Sequence, residues 1–193
     1  MPITGILLAA GYSRRFGCDK LLYSLNDGTP IVQASARPLK KTVDHTVAVV
    51  RPDSIALANL LREEGFEVVT DANTVNGMGA SLACGIRASR DAHAWVIALA
   101  DMPFIQVATF QAVVDLLRQG AGIVAPQYRG RRGHPVGFQQ SFGDALSKLT
   151  GDVGAKVLLQ RFQSQLTVFS CEDRGILCDI DTPQECKLSL AFH

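Results

Sequence analysis

Strand-like and helix-like runs alternate along most of the chain, and this rhythm constrains the fold more than any other feature. Thr4–Ala9 is a short apolar run of strand length. Thr29 and Pro30 read as a cap followed by proline at the first helical position, opening a helix to Lys41. "HTVAVV" (His45–Val50) is a strand, and Asp53–Glu64 is an amphipathic helix closed by Gly65. "FEVVT" is a strand and Ala80–Ser89 a helix. "AWVIALA" (Ala94–Ala100) is the strongest buried strand. Val107–Gln119 is then a helix stopped by Gly120, and Gly122–Pro126 a strand. This order predicts an α/β fold, with a mostly parallel sheet covered on both faces. Right-handed crossovers would bring the loops at the C-terminal strand ends to one rim.

After Pro126 the rhythm breaks. "QYRGRRGHPVGF" reads as a hairpin-like excursion, so the sheet should be mixed, with its antiparallel element near Pro135–Phe138. Two short helices (around Phe142–Lys148 and Val153–Phe162), two strand-like runs and a last helix from Pro183 complete the pattern. No repeat, linker or composition shift interrupts the 193 residues, so one domain over 1–193 is expected.

Ligands of such folds sit at the strand-end rim, and the first rim segment is unusual. In "ILLAAGYSRRFGCDKLL" a buried strand ends in Ala9, Ala10 and Gly11, and Arg14, Arg15 and Lys20 follow closely. Small residues let backbone approach a planar ligand or a phosphate. Arg15 and Lys20 add a fork of donors and a mobile charge, a pairing suited to polyphosphate. The competing reading is a solvated cationic loop; the preceding strand and Gly11/Gly17 favour the anion. No GxxxxGK[ST] and no GxGxxG occurs.

Three further segments reach the same rim or flank it. Asp101 ends the strongest strand, where a carboxylate suits Mg²⁺, although it also suits a turn before Met102-Pro103. Asp181 precedes Thr182-Pro183 and reads first as a helix cap, with a metal partner as the alternative. "NGMGASL" (Asn76–Leu82) is a glycine-rich helix entry able to hold ribose or phosphate, or a loop. "RGRRGHPVGF" places Arg129, Arg131, Arg132 and His134 in one excursion, which fits an anionic second substrate or a solvated hairpin.

Composition excludes other classes. A net charge of +1 gives no electrostatic footprint for nucleic acid or for an anionic membrane. No apolar run is long enough for a membrane span, and the start lacks the leading charges of a signal peptide, so a cytoplasmic location is expected. Five cysteines without a CxxC pair argue against a disulfide framework and a zinc site. Cys18, among cations, reads as incidental rather than catalytic.

The opening segment resembles the LAAGxSxRxGxxK signature of nucleotidyltransferases, through Leu8-Ala9-Ala10-Gly11, Ser13, Arg15, Gly17 and Lys20. "NGMGASL", "ADMP", "GRRGHPVGF", "GDVGAKVLL" and "DIDTPQE" are similar, in order, to the successive motifs of the molybdenum-cofactor cytidylyltransferase branch. The resemblance implies a Rossmann-like three-layer sandwich of the nucleotide-diphospho-sugar transferase type. It implies a base held against the backbone of Leu8–Gly11, phosphates met by Arg15 and Lys20, and a nucleoside touched by Gly79 and Ser81. Asp101 would bind Mg²⁺ with Asp181 as second ligand, and Gly133, His134 and Pro135 would face the acceptor, a pterin phosphate.

The related guanylyltransferases carry Leu-Ala-Gly-Gly in the signature. Ala10 therefore favours CTP over GTP, by at most about 1–3 kcal/mol for one methyl. Asp71 stands where many relatives have Asn, Lys156 where Arg is usual, and Asp19 where the sugar-phosphate branches have Pro. The expected activity is Mg²⁺-dependent transfer of CMP from CTP to the terminal phosphate of molybdopterin, releasing pyrophosphate. The alternatives are another nucleotide or phosphorylated acceptor, or a non-catalytic cofactor carrier serving a molybdoenzyme client.

Overall fold

The computed structural model describes residues 1–11, 19–72, 77–152 and 154–182. Strand β1 (Ile3–Ala9) is buried along its whole length and pairs in parallel with β2 (His45–Val50) and β4 (Ala94–Leu99). A central parallel strand covered on both faces has no solvent side, which is why these runs are continuously apolar. β3 (Glu67–Thr70) pairs in parallel with β2 and is more exposed. On the other side of β4, β7 (Val136–Gln139) runs antiparallel to both β4 and β5 (Ile123–Tyr128). β8 (Leu166–Ser170) adds to β5 in parallel. β6 (Arg131–Arg132) continues beside the far half of β5, so β6 and β7 share one of its edges. The mixed eight-stranded sheet, with its antiparallel element at Val136–Gln139, matches the expected architecture.

Side-chain alternation divides the core in two. Ile3, Leu7 and Ala9 of β1 face one side, with α1 (Ile31–Lys40), α2 (Ile55–Glu63) and α4 (Val107–Arg118). Ile6, Leu8 and Ala10 face the other, with α3 (Met78–Ala88), α5 (Gly143–Ser147) and α6 (Lys156–Arg161). In α1, Ile31, Ser35 and Leu39 recur every four residues and are buried. Ser35 Oγ also donates to the Ala100 carbonyl at 2.8 Å, tying that helix to the end of β4.

Two expectations change. Pro30 is the N-cap of α1, not its first helical residue, and the helix begins at Ile31. Of the two strand-like runs after α6, only 166–170 is a strand; Arg174–Leu177 is a 3-10 turn. The cause is Asp173, a buried carboxylate that accepts from Gly175 N (2.9 Å), Gln106 N (2.8 Å) and Thr109 Oγ1 (2.6 Å). Satisfying it curls the chain onto the start of α4 in place of an extended run. The helix expected from Pro183 lies outside the described residues. Among the described residues no helix is long and apolar enough to cross a membrane.

Candidate active site

At the C-terminal ends of β1 and β4 a cavity of about 530 Å³ opens on the predicted rim. Its lining joins Leu8–Gly11, Lys20, Leu21, Gly77, Met78, Ser81, Leu99–Asp101 and Asp152. That volume suits a nucleotide-sized ligand. One wall is almost featureless. Ala9 and Ala10 are buried, and a methyl placed on Gly11 would meet nothing within 4 Å, so the backbone there is open to a ligand. Arg51, directly after β2, donates from Nη1 to the Gly11 carbonyl at 2.5 Å and pairs with Asp53 at 3.1 Å. It holds the end of the loop without lining the cavity.

A second wall, at Lys20 and Asp101, is acidic and made of distant segments. Carboxylate oxygens of Asp101, Asp179 and Asp181 lie within 4.8 Å of one another. The Lys20 ammonium is bound among them, 3.0 Å from Asp101 Oδ2, 3.2 Å from Asp181 Oδ1 and 2.7 Å from the Ile180 carbonyl. Asp19 caps the 3-10 turn Lys20–Leu22 by accepting from Leu21 N at 3.3 Å, and so presents Lys20 to the cluster. Burial alone would lower the Lys20 pKa. The charge and hydrogen bond of Asp101, then those of Asp181, outweigh burial and hold it above the ordinary lysine value.

Backbone contacts assemble this wall. Ile180 N donates to the Asp101 carbonyl at 2.9 Å, and His134 N to the Ile176 carbonyl at 3.0 Å. At Gly133 an added Cβ would lie 2.1 Å from the Ile176 oxygen, and at Gly175 the same distance from the Phe104 oxygen. Only glycine permits either approach. The 173–181 segment is thereby docked between the end of β4 and the β6–β7 connection.

The predicted residues divide accordingly. Leu8, Ala9, Ala10, Gly11, Lys20, Ser81 and Asp101 all line the cavity, and Asp181 joins Asp101 through Lys20. Ser13, Arg15 and Gly17 lie outside the described residues. Gly79 turns toward the 150–151 loop, where its N–H donates to the Gly151 carbonyl at 2.7 Å. Gly133, His134 and Pro135 stand behind the acidic wall rather than along the lining. His134 Nδ1 is buried without a hydrogen-bond partner. Burial pushes the imidazole pKa below its usual value, against the opposing pull of Asp101, so the ring is neutral at pH 7. The Asp71 carboxylate pairs with Arg87 of α3 at 3.2 Å, which accounts for an acid at that position.

Sequence reasoning missed Asp179, Asp152, Met78 and Arg51. The first had a signal: in "DID" the two acids are two residues apart, and an extended segment puts both on one side. Arg51 had a weaker one, a cation at the end of the strand next to β1. Asp152 and Met78 lay inside motifs already singled out, "GDVGAKVLL" and "NGMGASL", but neither was picked out within them.

Three hard carboxylate oxygens suit Mg²⁺ or Mn²⁺. That a half-buried ammonium already pairs with two of them shows that the cluster calls for positive charge. The donor set therefore fits a divalent metal.

Similarity to known proteins follows the same lines. Residues 5–167 match the model of the MobA-like NTP transferase domain. The chain is 32% identical over 196 residues to the purine catabolism protein PucB of Bacillus subtilis, covering 95% of this chain and 93% of that protein. It is 27% identical over 192 residues to nicotine blue oxidoreductase of Paenarthrobacter nicotinovorans, covering 95% and 94%. A shorter match, 27% over 128 residues, is to the molybdenum cofactor guanylyltransferase of Desulfosudis oleivorans, covering 65% and 59%. Among solved structures, Rv0371c of Mycobacterium tuberculosis superposes with a TM-score of 0.83 at 26% identity, covering 95% and 94%. The same protein is known in complex with manganese, with a TM-score of 0.79, 24% identity and 96% of both chains covered.

Proposed function

The chain belongs to the MobA-like NTP transferase domain family and is a nucleotidyltransferase; we propose that it transfers CMP from CTP to the terminal phosphate of molybdopterin, with Mg²⁺. The observation that carries this reading is the pairing of two unlike walls in one cavity. One is open backbone that would face a base, and the other is Lys20 and Asp101, behind which Asp179 and Asp181 complete an acidic cluster.

Leu8–Gly11 would offer backbone to the base, and the Ala10 methyl would narrow the space left for a purine. Ser81 would meet the nucleoside. Lys20 and Arg15 would meet the phosphates. An oxygen of the acceptor phosphate forms the new bond to the α-phosphorus of CTP, the bond from that phosphorus to the α–β bridging oxygen breaks, and pyrophosphate leaves. The attacking oxygen is already ionised at neutral pH, so no side chain has to remove a proton. Catalysis is then positioning and charge neutralisation. Asp101 and Asp181 would hold the divalent cation, with Asp179 completing the set, and the bound metal would neutralise developing charge on the phosphates. Manganese in the similar Rv0371c protein supports a divalent-metal site here.

The acceptor side rests on the relatives named for molybdenum cofactor. Their guanylyltransferase name is also the observation that favours a second reading, GTP as donor. Pyrophosphate release measured with Mg²⁺, CTP or GTP, and molybdopterin or other phosphorylated acceptors decides between them. The proposal expects release with CTP and molybdopterin; equal use of GTP would remove the Ala10 argument. Tight nucleotide binding without any release would point to a cofactor carrier for a molybdoenzyme.

A further inference from the structure

Lys20 is arranged in a way that the phosphate-binding role does not explain. An ammonium has three N–H donors. Among the described residues three acceptors take them: Asp101 Oδ2, Asp181 Oδ1 and the Ile180 carbonyl. In this state Lys20 has nothing left to give a phosphate. Its charge offsets part of that of three carboxylates whose oxygens lie within 4.8 Å, an arrangement that repels itself without a cation. The side chain is mostly buried, 14% exposed, while Asp181 is 47% exposed, so the cluster opens to solvent on the Asp181 side.

We propose that Lys20 is the resident counter-ion of the acidic cluster, exchanged for the divalent metal when it binds and so released to the substrate phosphates. The inference rests on the metal assignment made above. Two of the three carboxylates that the metal would use, Asp101 and Asp181, are the ones that Lys20 now holds. A divalent ion binds such oxygens at about 2.1 Å, whereas the ammonium needs about 3 Å, and two cations cannot share them at full strength. Lysine suits the exchange, being a point charge on a flexible stem rather than a planar fork. Metal entry therefore frees three donors at the edge of the cavity where triphosphate would lie. Metal and phosphate binding become thermodynamically coupled through one side chain, and the coupling is reciprocal.

The test is Mn²⁺ binding to the full chain, followed by the loss of the free-ion paramagnetic resonance signal, without nucleotide. Lys20→Met removes the competitor and should bind Mn²⁺ about tenfold more tightly than the wild type, within the range of such couplings. Adding CTP should strengthen Mn²⁺ binding clearly in the wild type and much less in Lys20→Met. Mn²⁺ affinity unchanged or weaker in Lys20→Met overturns the exchange. Asp101→Asn separates the two levels. If it weakens Mn²⁺ binding while Lys20→Met does not strengthen it, only the exchange fails. If it leaves Mn²⁺ binding as in the wild type, the metal assignment fails and the exchange with it. Should Lys20→Met not fold, the Lys20 side-chain resonance of the wild-type chain is followed by NMR during Mg²⁺ addition. It should shift in step with metal binding, and a resonance that stays in place overturns the proposal.

Discussion

The two walls of the cavity are built by opposite means. The Leu8–Gly11 wall comes from one segment: a strand buried along its length ends, and its last residues are too small to cover the backbone. The acidic wall comes from three segments, with Lys20 bonded to residues 81 and 161 positions away. The first wall is fixed by local sequence and by its place in the sheet. The second exists only while the 173–181 segment stays docked through Asp173, Gly133 and Gly175. A locally encoded wall suits recognition, and an assembled wall concentrates charge that no short segment would tolerate.

The contrast is tested most severely by taking away the metal. Chelation of divalent cations should stop pyrophosphate release, by more than about a thousandfold. Adding back Mg²⁺ or Mn²⁺ should restore it, and turnover that persists under chelation would detach the acidic wall from the chemistry.

The docking of the acidic wall is tested next. Asp173→Ala leaves two backbone N–H groups and the Thr109 hydroxyl without their acceptor, which should cost about 2–4 kcal/mol of stability. Urea unfolding measures it. Gly133→Ala, which forces a methyl against the Ile176 carbonyl, should weaken Mn²⁺ binding even where the fold survives. Wild-type stability in Asp173→Ala would show that the 173–181 segment is held by something else.

A smaller effect is expected on the other wall. Ala10→Gly should shift the ratio of CTP to GTP use toward GTP by about 1–3 kcal/mol, read from kcat/KM for each nucleotide. A change in kcat alone, with the ratio intact, would argue that Ala10 does not face the base.

The smallest effect concerns acid. The folded His134 pKa is below its unfolded value, so as pH falls the unfolded state takes up the proton before the folded state does. Its contribution is whole above the unfolded value near pH 6.5 and declines as pH drops through that value toward the folded one. Unfolding free energy measured from pH 7.5 to 5 should fall less steeply in His134→Gln than in the wild type.

Legibility in the sequence follows the same division. The parallel strands were readable because burial on both faces leaves continuous apolar runs, and the antiparallel element because the βα rhythm stops at Pro126. The Leu8–Gly11 wall was readable as a motif, and Asp101 by its place at the end of the strongest strand. Asp173 was invisible: nothing in "CEDRG" says that its carboxylate will be buried against α4, and so nothing marked the 3-10 turn that follows it. Arg51 acts through the Gly11 carbonyl, which only the pairing of β1 with β2 brings near. The Lys20–Asp101–Asp181 contact was divided in the sequence into a phosphate ligand and two metal ligands; that they bond to one another needed three dimensions.

The division of labour between the walls is tested most directly by measuring nucleotide affinity and turnover together in Asp101→Ala. The account predicts CTP binding within about tenfold of the wild type and turnover lower by about a thousandfold or more, the pattern of a group that acts mainly in the transition state. Near-normal turnover in that variant would contradict it.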